Sequence, residues 1–537
     1  MTTSTYPYFN HEYEYFGVGP DGEFVFFNKA DTAHIGDDEI AILKRLRGQI
    51  LSKVRGNKNK QAYYEARQII THLDIAVPRN LTDIGVAVGW AGSVVDAYDE
   101  RIDLLGWVTD DGNVNGLDEA FNDNNLVVES NYGHVDALTT GVSFVSVGND
   151  TDSIFGNGEK QQLITIESSS TATVIWDYRK RRSVAGLSQT TDDKGNVMME
   201  SLYLENANLV FARESPLDEL RLVSRDQHNV GRCFMTRLPN KARPFQMDGR
   251  SEITRATRYL TDAAVRTFLG MEVNREFYTA PQRFILNAQP SDFGVTDDMT
   301  PEQKFQRGLS VAMGMVNVVP PPADPMETPP VSVVEMKPAP PTPYIEQVKA
   351  YSIQMAAETG LPATFFGFVT DNPTSADAIV KSEFRLTKRA SRRINTFGQG
   401  WKEVALLTLL ARDGTADIDF FRRLRCKFGN PMLPTPSATA DELQKMIAAE
   451  VLVPDSSVTY ELYGRLDDRM IAQLEKDKQK HEAKMLRKAQ QEADMAAASA
   501  QAEAEARATA APATNGSGPG QRAPSPQRAP KKEAGAR

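Results

Sequence analysis

The sequence contains little cysteine, histidine or tryptophan: 2, 6 and 4 residues in 537. The two cysteines, Cys233 and Cys426, can form at most one disulfide, which excludes a disulfide-stapled scaffold. The scattered histidines and cysteines do not form a zinc-binding cluster at any usual spacing. These counts favour a chain that works in a reducing compartment.

Long apolar runs are also absent. The longest nearly uncharged runs, 84–95 and 137–148, are too short and too rich in glycine to span a bilayer, which takes about 20 apolar residues. The N-terminus lacks a basic segment followed by an apolar one, so no signal peptide is predicted. We therefore expect a soluble protein of intracellular type.

The overall charge is acidic, with a formal net charge of −10 at pH 7. Tight nonspecific binding to duplex DNA needs cations that neutralise phosphates, so the chain as a whole is a poor candidate for it. Any contact with nucleic acid must be local or weak. The 41% of hydrophobic and 25% of charged residues are ordinary for a globular protein, and the length predicts two to four folding units at roughly 150 residues each.

Signatures of catalysis are missing as well. The sequence has no phosphate-binding loop, no His-Glu-x-x-His, no Gly-x-Ser-x-Gly and no kinase signature. Acidic pairs at 110–111, 192–193, 297–298 and 467–468 are the remaining candidates for Mg²⁺ ligands. Each pair lies in a predicted turn or helix start, where aspartate favours capping and solvation. We therefore predict no catalytic residue, no metal site and no cofactor.

The pattern of apolar residues predicts helices with loops up to about residue 141, at 37–54, from Asn80 or Thr82 to 102, and at 125–141. From residue 142 the pattern changes to alternation, which predicts strands at 163–166, 172–176 and 196–204. The residues 192–196 (DDKGN) predict a hairpin turn.

A long helix is predicted next, with Ser251 as its N-cap and an apolar stripe from Ile253 to Met271. Three arginines lie on the opposite, predicted solvated face: Arg255, Arg258 and Arg266. A short strand-like run at 283–286 follows. Ten prolines between 320 and 343 then exclude helix and favour extended backbone.

A helix over 342–359 is predicted to end at Gly360, with Pro362 close behind. The loop 363–373 is rich in phenylalanine, and 374–377 (TSAD) predicts the cap of a basic helix that extends to about 411. Gly398 and Gly400 suggest a kink in it. Short helices at 441–450 and 466–474 and a charged helix to about 495 follow, and beyond 495 we expect a disordered, basic tail.

In this order, the elements resemble the portal proteins of tailed bacteriophages, of the class found in phages of actinobacteria. The stretches that carry the resemblance are 94–101 (VVDAYDER), 249–253 (GRSEI), 280–283 (APQR), 358–362 (ETGLP) and 371–379 (DNPTSADAI). Their order and spacing cover roughly residues 40–475.

The resemblance implies an α+β, mainly α subunit of a ring, usually of twelve copies, around a central DNA channel. The implied parts are a wing (1–248, with a β-rich insert from about 142), a first stem helix (249–280), a clip (281–341), a second stem helix (342–362), a tunnel loop (363–373), a basic helix with the wing return (374–435), crown helices (436–494) and a disordered tail (495–537).

The resemblance also implies roles for particular residues. The tunnel-loop residues expected to face the channel are Phe365, Phe366, Phe368, Asp371 and Asn372. The three phenylalanines could touch DNA or pack loop-to-loop around the ring, and packing is favoured because they are hydrophobic. The residues expected to contact DNA or a neighbouring subunit are Arg255, Arg258, Arg266, Lys381, Arg385, Lys388 and Arg392, with subunit contacts favoured. The clip docking surface is expected at Arg283, Phe284, Asp297 and Asp298.

The implied partners are other copies of the chain, double-stranded DNA, the terminase large subunit, head-completion or connector proteins, and major capsid and scaffold proteins. The implied locations are the portal vertex of the virion and the host cytoplasm during assembly. Two alternatives stay open: a metal-dependent nuclease, and a non-ring scaffold or minor capsid protein.

Overall fold

The structure is a computed structural model. It describes residues 15–18, 24–27, 35–70, 85–150, 161–244, 246, 248–279, 283–288, 298–303, 316–319, 321, 330–335, 340–367, 376–432, 436–454, 456–463 and 468–509. The chain divides into two compact units, Met1–Leu433 and Pro434–Arg537.

The strands, in chain order, are β1 (Tyr15–Val18), β2 (Phe24–Phe27), β3 (Leu104–Val108), β4 (Val142–Asp150), β5 (Gln161–Glu167), β6 (Ala172–Asp177), β7 (Arg182–Thr191), β8 (Val197–Leu204), β9 (Asn208–Ala212), β10 (Arg221–Asp226), β11 (Met235–Pro239), β12 (Arg283–Leu286), β13 (Val316–Val319), β14 (Ser332–Glu335) and β15 (Arg425–Phe428). The helices of the first unit are α1 (Asp37–Tyr64), α2 (Trp90–Asp99), α3 (Leu117–Asp123), α4 (Leu126–Thr140), α5 (Arg255–Thr279), α6 (Thr342–Thr359), α7 (Ala376–Asp413) and α8 (Ile418–Arg423). Those of the second unit are α9 (Pro436–Ala448), α10 (Ser457–Tyr463) and α11 (Asp468–Thr509). The predicted mixture of helix and strand is confirmed.

The predicted strands lie in two antiparallel sheets, a 5-stranded sheet of order β10-β9-β8-β7-β6 and a 3-stranded sheet of order β11-β4-β5. The hairpin between β7 and β8 is confirmed: Asp192 Oδ1 accepts from the backbone N–H of Lys194 at 2.9 Å and of Asn196 at 2.7 Å. The aspartate thus closes its own turn, a use that is typical of aspartate in hairpin loops.

The sequence predicted only helices and loops before Gly141, and the structure corrects this prediction. This segment contains β1, β2 and β3, and β3 pairs antiparallel with β15, more than 300 residues away. α1 continues past the predicted end at 54 to Tyr64. The helix predicted to begin at Asn80 or Thr82 is α2, which begins at Trp90. Residues 85–89 are not helical, and 71–84 lie outside the described residues.

α5 and α6 pack against each other as an antiparallel pair. Tyr344, near the start of α6, lies beside Gly270 in the second half of α5. The cap of α5 is Thr254, whose Oγ1 accepts from the backbone N–H of Thr257 at 3.2 Å, and not the predicted Ser251. The predicted end of α6 is confirmed, since Gly360 has φ 78°, a conformation that glycine adopts without a steric penalty.

α7 runs without interruption through the two glycines at which a kink was expected. Both glycines serve close packing instead. A Cβ on Gly400 would lie 2.4 Å from Leu238 Cδ2 and 2.8 Å from the Arg237 carbonyl oxygen of β11, whereas one on Gly398 would lie 3.4 Å from the Phe428 ring. The second half of α7 is the centre of the largest core, with Trp401 fully buried.

The region 283–335 contains a 3-stranded sheet of order β13-β12-β14, of which the sequence predicted only β12. β12 pairs parallel with β13 and antiparallel with β14. All of β14 is exposed.

In the second unit, the predicted short helix at 466–474 and the charged helix are one helix, α11. It continues through the alanine-rich stretch to Thr509, so the expected disordered tail does not begin at 495. Residues 510–537 lie outside the described residues. Among the helices described, none is long and apolar enough to cross a membrane.

Candidate functional site

The C-terminal end of α6 is held by side chains from α2 and α7. Tyr98 Oη donates to the Thr359 carbonyl oxygen at 2.7 Å, and Arg389 donates to the same oxygen. The last carbonyls of a helix have no partner within the helix and carry a partial negative charge. A tyrosine hydroxyl and a guanidinium therefore satisfy this end of α6.

A buried cluster of charged residues lies next to it, just before α5. Glu252, which is 4% exposed, accepts from Arg393 Nη2 at 2.5 Å and Nε at 3.0 Å, and from Lys241 Nζ at 2.5 Å. Asn240 Nδ2 donates to it at 2.9 Å. The Arg393 guanidinium also lies 3.9 Å over the Tyr98 ring.

Burial would raise the pKa of Glu252, but the charges of Arg393 and Lys241 outweigh burial and hold the pKa below its usual value of 4.5. Two opposing cations and an amide thus keep a buried carboxylate ionised. We call Tyr98, Lys241, Glu252, Arg389 and Arg393 the junction.

A cavity of about 500 Å³ opens beside the junction. The cations that line it are Lys241, Arg243, Arg250, Arg389, Arg392 and Arg393. Its acids are Glu252, which is already paired, and Glu358. The cavity is therefore a place of excess positive charge in an acidic chain.

Three of the sequence stretches that carried the resemblance meet at the junction. Tyr98 comes from 94–101, Glu252 from 249–253 and Thr359 from 358–362. Gly249 has φ 77°, and a Cβ there would lie 2.3 Å from the Gly141 carbonyl oxygen. Residues of these three stretches thus hold α2, α5, α6 and α7 together.

The four basic residues predicted to share a face of α7 do so, and all four are exposed. Lys381, Arg385, Lys388 and Arg392 have no acidic partner within 4.0 Å among the described residues. Arg389 and Arg393 belong to the same basic run but lie on the buried side with Leu386, Ala390 and Phe397.

The arginines of α5 differ from one another. Arg255 and Arg266 are exposed, as predicted. Arg258 is half-buried against α1, with its guanidinium 5.9 Å from the Tyr63 ring, so the prediction of a solvated position is wrong for it. Tyr63 Oη also donates to both carboxylate oxygens of Asp262, at 2.9 and 2.8 Å, which ties α1 to α5.

The phenylalanine loop does not behave as predicted for Phe366. That side chain is 4% exposed and packs edge-to-face on Trp90, with ring centroids 5.8 Å apart. Phe365 is half-buried against the same core. Phe366 therefore faces the core of its own subunit and not a channel. Phe368, Asp371 and Asn372 lie outside the described residues.

The predicted clip residues are only partly described. Arg283 and Phe284 lie in β12, and Phe284 is half-buried. Asp298 is exposed, and Asp297 lies outside the described residues.

Three of the acidic residues that were candidates for Mg²⁺ have other partners. Asp111 pairs with Arg423 at 2.8 Å and Asp110 with Arg425 at 3.8 Å. Asp192 accepts a hydrogen bond from the Asn196 backbone N–H within its own turn, and Asp467 lies outside the described residues. Nowhere in the described ranges do three or more histidine, cysteine, aspartate or glutamate residues gather as a metal site.

The sequence predictions missed the junction. The spacing of Arg389 and Arg393 gave a signal, because both recur with the apolar positions of α7. Glu252, the partner of Arg393, is 141 residues away from it in sequence, and no local pattern links the two. The Thr359 carbonyl, which accepts from Arg389, is 30 residues from that arginine.

Comparison with known proteins identifies the family. The family model described as "Phage portal protein, SPP1 Gp6-like" matches residues 51–484. The chain belongs to this family of phage portal proteins. The family is structural and not enzymatic, and phage portal proteins sit in the virion at a vertex of the capsid.

Two relatives are portal proteins of mycobacteriophages. The portal protein of Mycobacterium phage D29 is 27% identical over 422 residues, which cover 76% of this chain and 84% of the relative. That of Mycobacterium phage L5 is 27% identical over 392 residues, covering 72% and 77%. The predicted resemblance to portal proteins is confirmed.

One solved structure is similar only in outline. A chain of the "Neck of native GTA particle computed with C12 symmetry" is 12% identical, with 73% of this chain and 94% of that chain covered and a TM-score of 0.37.

Proposed function

We propose that this portal protein forms a closed ring, usually of twelve subunits, whose central channel passes DNA inward during packaging and outward at ejection. The observation that carries the proposal is the family match over 51–484, which includes α5, the sheet β13-β12-β14, α6 and α7 in one continuous region. A ring needs no catalytic group, in keeping with a structural family.

In this proposal, 249–280 and 342–362 are the stem helices, and 281–341, with its small sheet, is the clip that meets the packaging motor and later the connector. The antiparallel packing of α5 and α6 supports a stem. Exposed apolar side chains on α6, Ile345 at 52% and Ile353 at 53%, support a further packing partner for that pair.

The remaining parts follow the order of the chain. Residues 363–373 form the tunnel loop, 374–435 the basic helix and wing return, 1–248 the wing, 436–494 the crown and the last residues a tail. The docking partners are the terminase large subunit, head-completion proteins, and major capsid and scaffold proteins. Assembly takes place in the host cytoplasm.

Contact with DNA in the channel is weak, because each strong contact with a phosphate adds binding free energy that must be overcome before the DNA can move. The net charge of −10 per subunit supports guidance without tight binding. The exposed cations of α5 and α7 are available to moderate the repulsion or to bind a neighbouring subunit.

The direct test is the mass of the purified full-length chain in solution, together with negative-stain images. We expect annular particles of about twelve subunits. A chain that stays monomeric at all concentrations, with no annular form in particles, contradicts the proposal. A dimer joined through α11 would favour a scaffold protein instead.

The tunnel loop has a separate test. Replacing Asp371 or Asn372 by alanine should reduce the amount of DNA packaged and leave ring assembly intact. Failure to assemble would contradict a role confined to the channel. As a matched control outside the proposed channel, deleting 511–537 should leave assembly unchanged.

A further inference from the structure

The exposed basic face of α7, formed by Lys381, Arg385, Lys388 and Arg392, is an unpartnered helix face with strong charge. At 100° per residue, these four positions lie within about 60° of one another. Glu383 lies about 140–180° away on the same helix, and it pairs at 3.0 Å with Arg101, which follows α2. The basic face therefore points away from the side of α7 that contacts α2.

The end of α2 carries an acidic patch that lacks a cation partner among the described residues. Its members are Asp96, Asp99, Glu100 and Asp103. No cation lies within 4.0 Å of these four carboxylates among the described residues. Tyr64 Oη donates to Asp96 at 3.0 Å, but Asp99 Oδ1 is buried without a hydrogen-bond partner. Three of the four carboxylates stand in the last turn of α2 or at its C-cap, where the helix dipole opposes negative charge.

The acidic patch is electrostatically unfavourable in the single chain. Burial, together with the charges of Asp103, Asp96 and Glu100, raises the pKa of Asp99 to about 7. Such a patch gains free energy from any cation brought to it, and the described part of this subunit supplies none.

We propose that the basic face of α7 binds the acidic patch of α2 on the neighbouring copy of the chain. This inference rests on the proposed ring. In a cyclic assembly each subunit uses two different surfaces, one for the neighbour on either side, and the surfaces must be complementary. The basic face of α7 and the acidic patch of α2 are two separate surfaces of opposite charge, so together they meet that requirement.

Apolar neighbours favour a protein partner over DNA for the basic face. Phe384, which is 63% exposed, lies beside Lys381 and Lys388 on α7. Leu105, which is 49% exposed, follows Asp103 in β3. An exposed aromatic residue among cations is typical of a protein interface, whereas sliding DNA offers it no partner.

The test uses full-length chains with reversed charges. One variant carries Arg385→Glu and Lys388→Glu, and a second carries Glu100→Lys and Asp103→Lys. A third combines all four changes. The matched control carries Arg45→Glu and Arg55→Glu, two exposed arginines of α1 without an ion-pair partner in the described residues, and changes the net charge by the same amount as the first variant. Circular dichroism and thermal melting of each variant check the fold.

We expect the first two variants to lose at least tenfold in the fraction of chains found in rings, by mass and negative stain at equal concentration. The combined variant should recover rings, because like charges no longer face each other. The control should assemble as the unaltered chain does. Rescue is a result that a merely structural role of these exposed residues would not give.

Three outcomes would overturn the inference. Normal ring assembly of the Arg385 and Lys388 variant, with weaker binding of duplex DNA, would assign the basic face to DNA. Loss of rings in both reversed variants without rescue would place the contact elsewhere. Absence of rings from the unaltered chain would remove the proposed function itself, and the inference with it.

Discussion

The buried carboxylate of Glu252 gives the sharpest test of the structure. Glu252→Gln removes one negative charge from a site where Arg393 and Lys241 both bind it, and where Arg393 is 3% exposed. The substitution leaves two cations facing a neutral amide. Breaking a buried ion pair from one side costs about 3–5 kcal/mol, because the remaining charge has lost both water and its partner. We expect a loss of unfolding free energy in that range.

The effect should depend on pH in a defined direction. The neighbouring cations hold the pKa of Glu252 in the folded chain below the 4.5 of an unperturbed glutamate. A depressed folded pKa adds stability above the unfolded pKa, and this stability is lost as pH falls through the folded value. The difference between the unaltered chain and Glu252→Gln should therefore be full at pH 7 and shrink below about pH 4.5.

Urea unfolding followed by tryptophan fluorescence measures this, because all four tryptophans lie in Met1–Leu433. Asp419→Asn is the control. Asp419 pairs with Arg422 at 3.0 Å with both side chains at least 75% exposed, and such surface pairs contribute little. A loss below about 1 kcal/mol for Glu252→Gln at pH 7 would refute the view that the cluster is a dry, fully paired site.

Other substitutions test packing and charge elsewhere. Gly400→Ala should lower the free energy of unfolding by about 1–3 kcal/mol, because its Cβ would overlap Leu238 of β11. Gly398→Ala should be neutral or stabilising, because the nearest atom lies at 3.4 Å and alanine is the better helix former. Thermal melting compares the two variants, and equal changes in stability would contradict the packing described for α7. Phe366→Ala should cost about 3–5 kcal/mol in urea unfolding, and a loss near zero would mean that the ring is not in the core. Asp99→Asn should stabilise the unassembled chain above pH 7 by up to about 4 kcal/mol and change its stability little below pH 4. The reason is that the pKa of Asp99 is about 7 in the folded chain and 3.8 in the unfolded chain, so its ionisation opposes folding as pH rises. Equal effects at both pH values in denaturant titrations would exclude a raised pKa.

The junction and the basic face show how residues of one type acquire different roles. Lys388, Arg389, Arg392 and Arg393 are four cations within six positions of α7. Two of them face outward and two hold buried groups of other elements. Their helical period separates the two sets, but only the position of Glu252 and of the end of α6 assigns the inner pair its task.

Local signals determined much of this protein from the sequence alone. Features that depend on neighbours a few residues apart could be predicted directly. They are the helical repeat of apolar residues in α4, α5, α6 and α7, the glycine with positive φ that ends α6, and the aspartate turn between β7 and β8. The family could also be inferred, because its short stretches keep their order along the chain.

The tertiary structure alone decided what depends on distant partners. The pairing of β3 with β15, the burial of Phe366 on Trp90, the engagement of Arg258 by α1 and the bond of Glu252 to Arg393 each join segments far apart in sequence. Their free energy comes from desolvation and packing at contacts that exist only once the chain is folded, and these contacts leave little trace in the local pattern of residues.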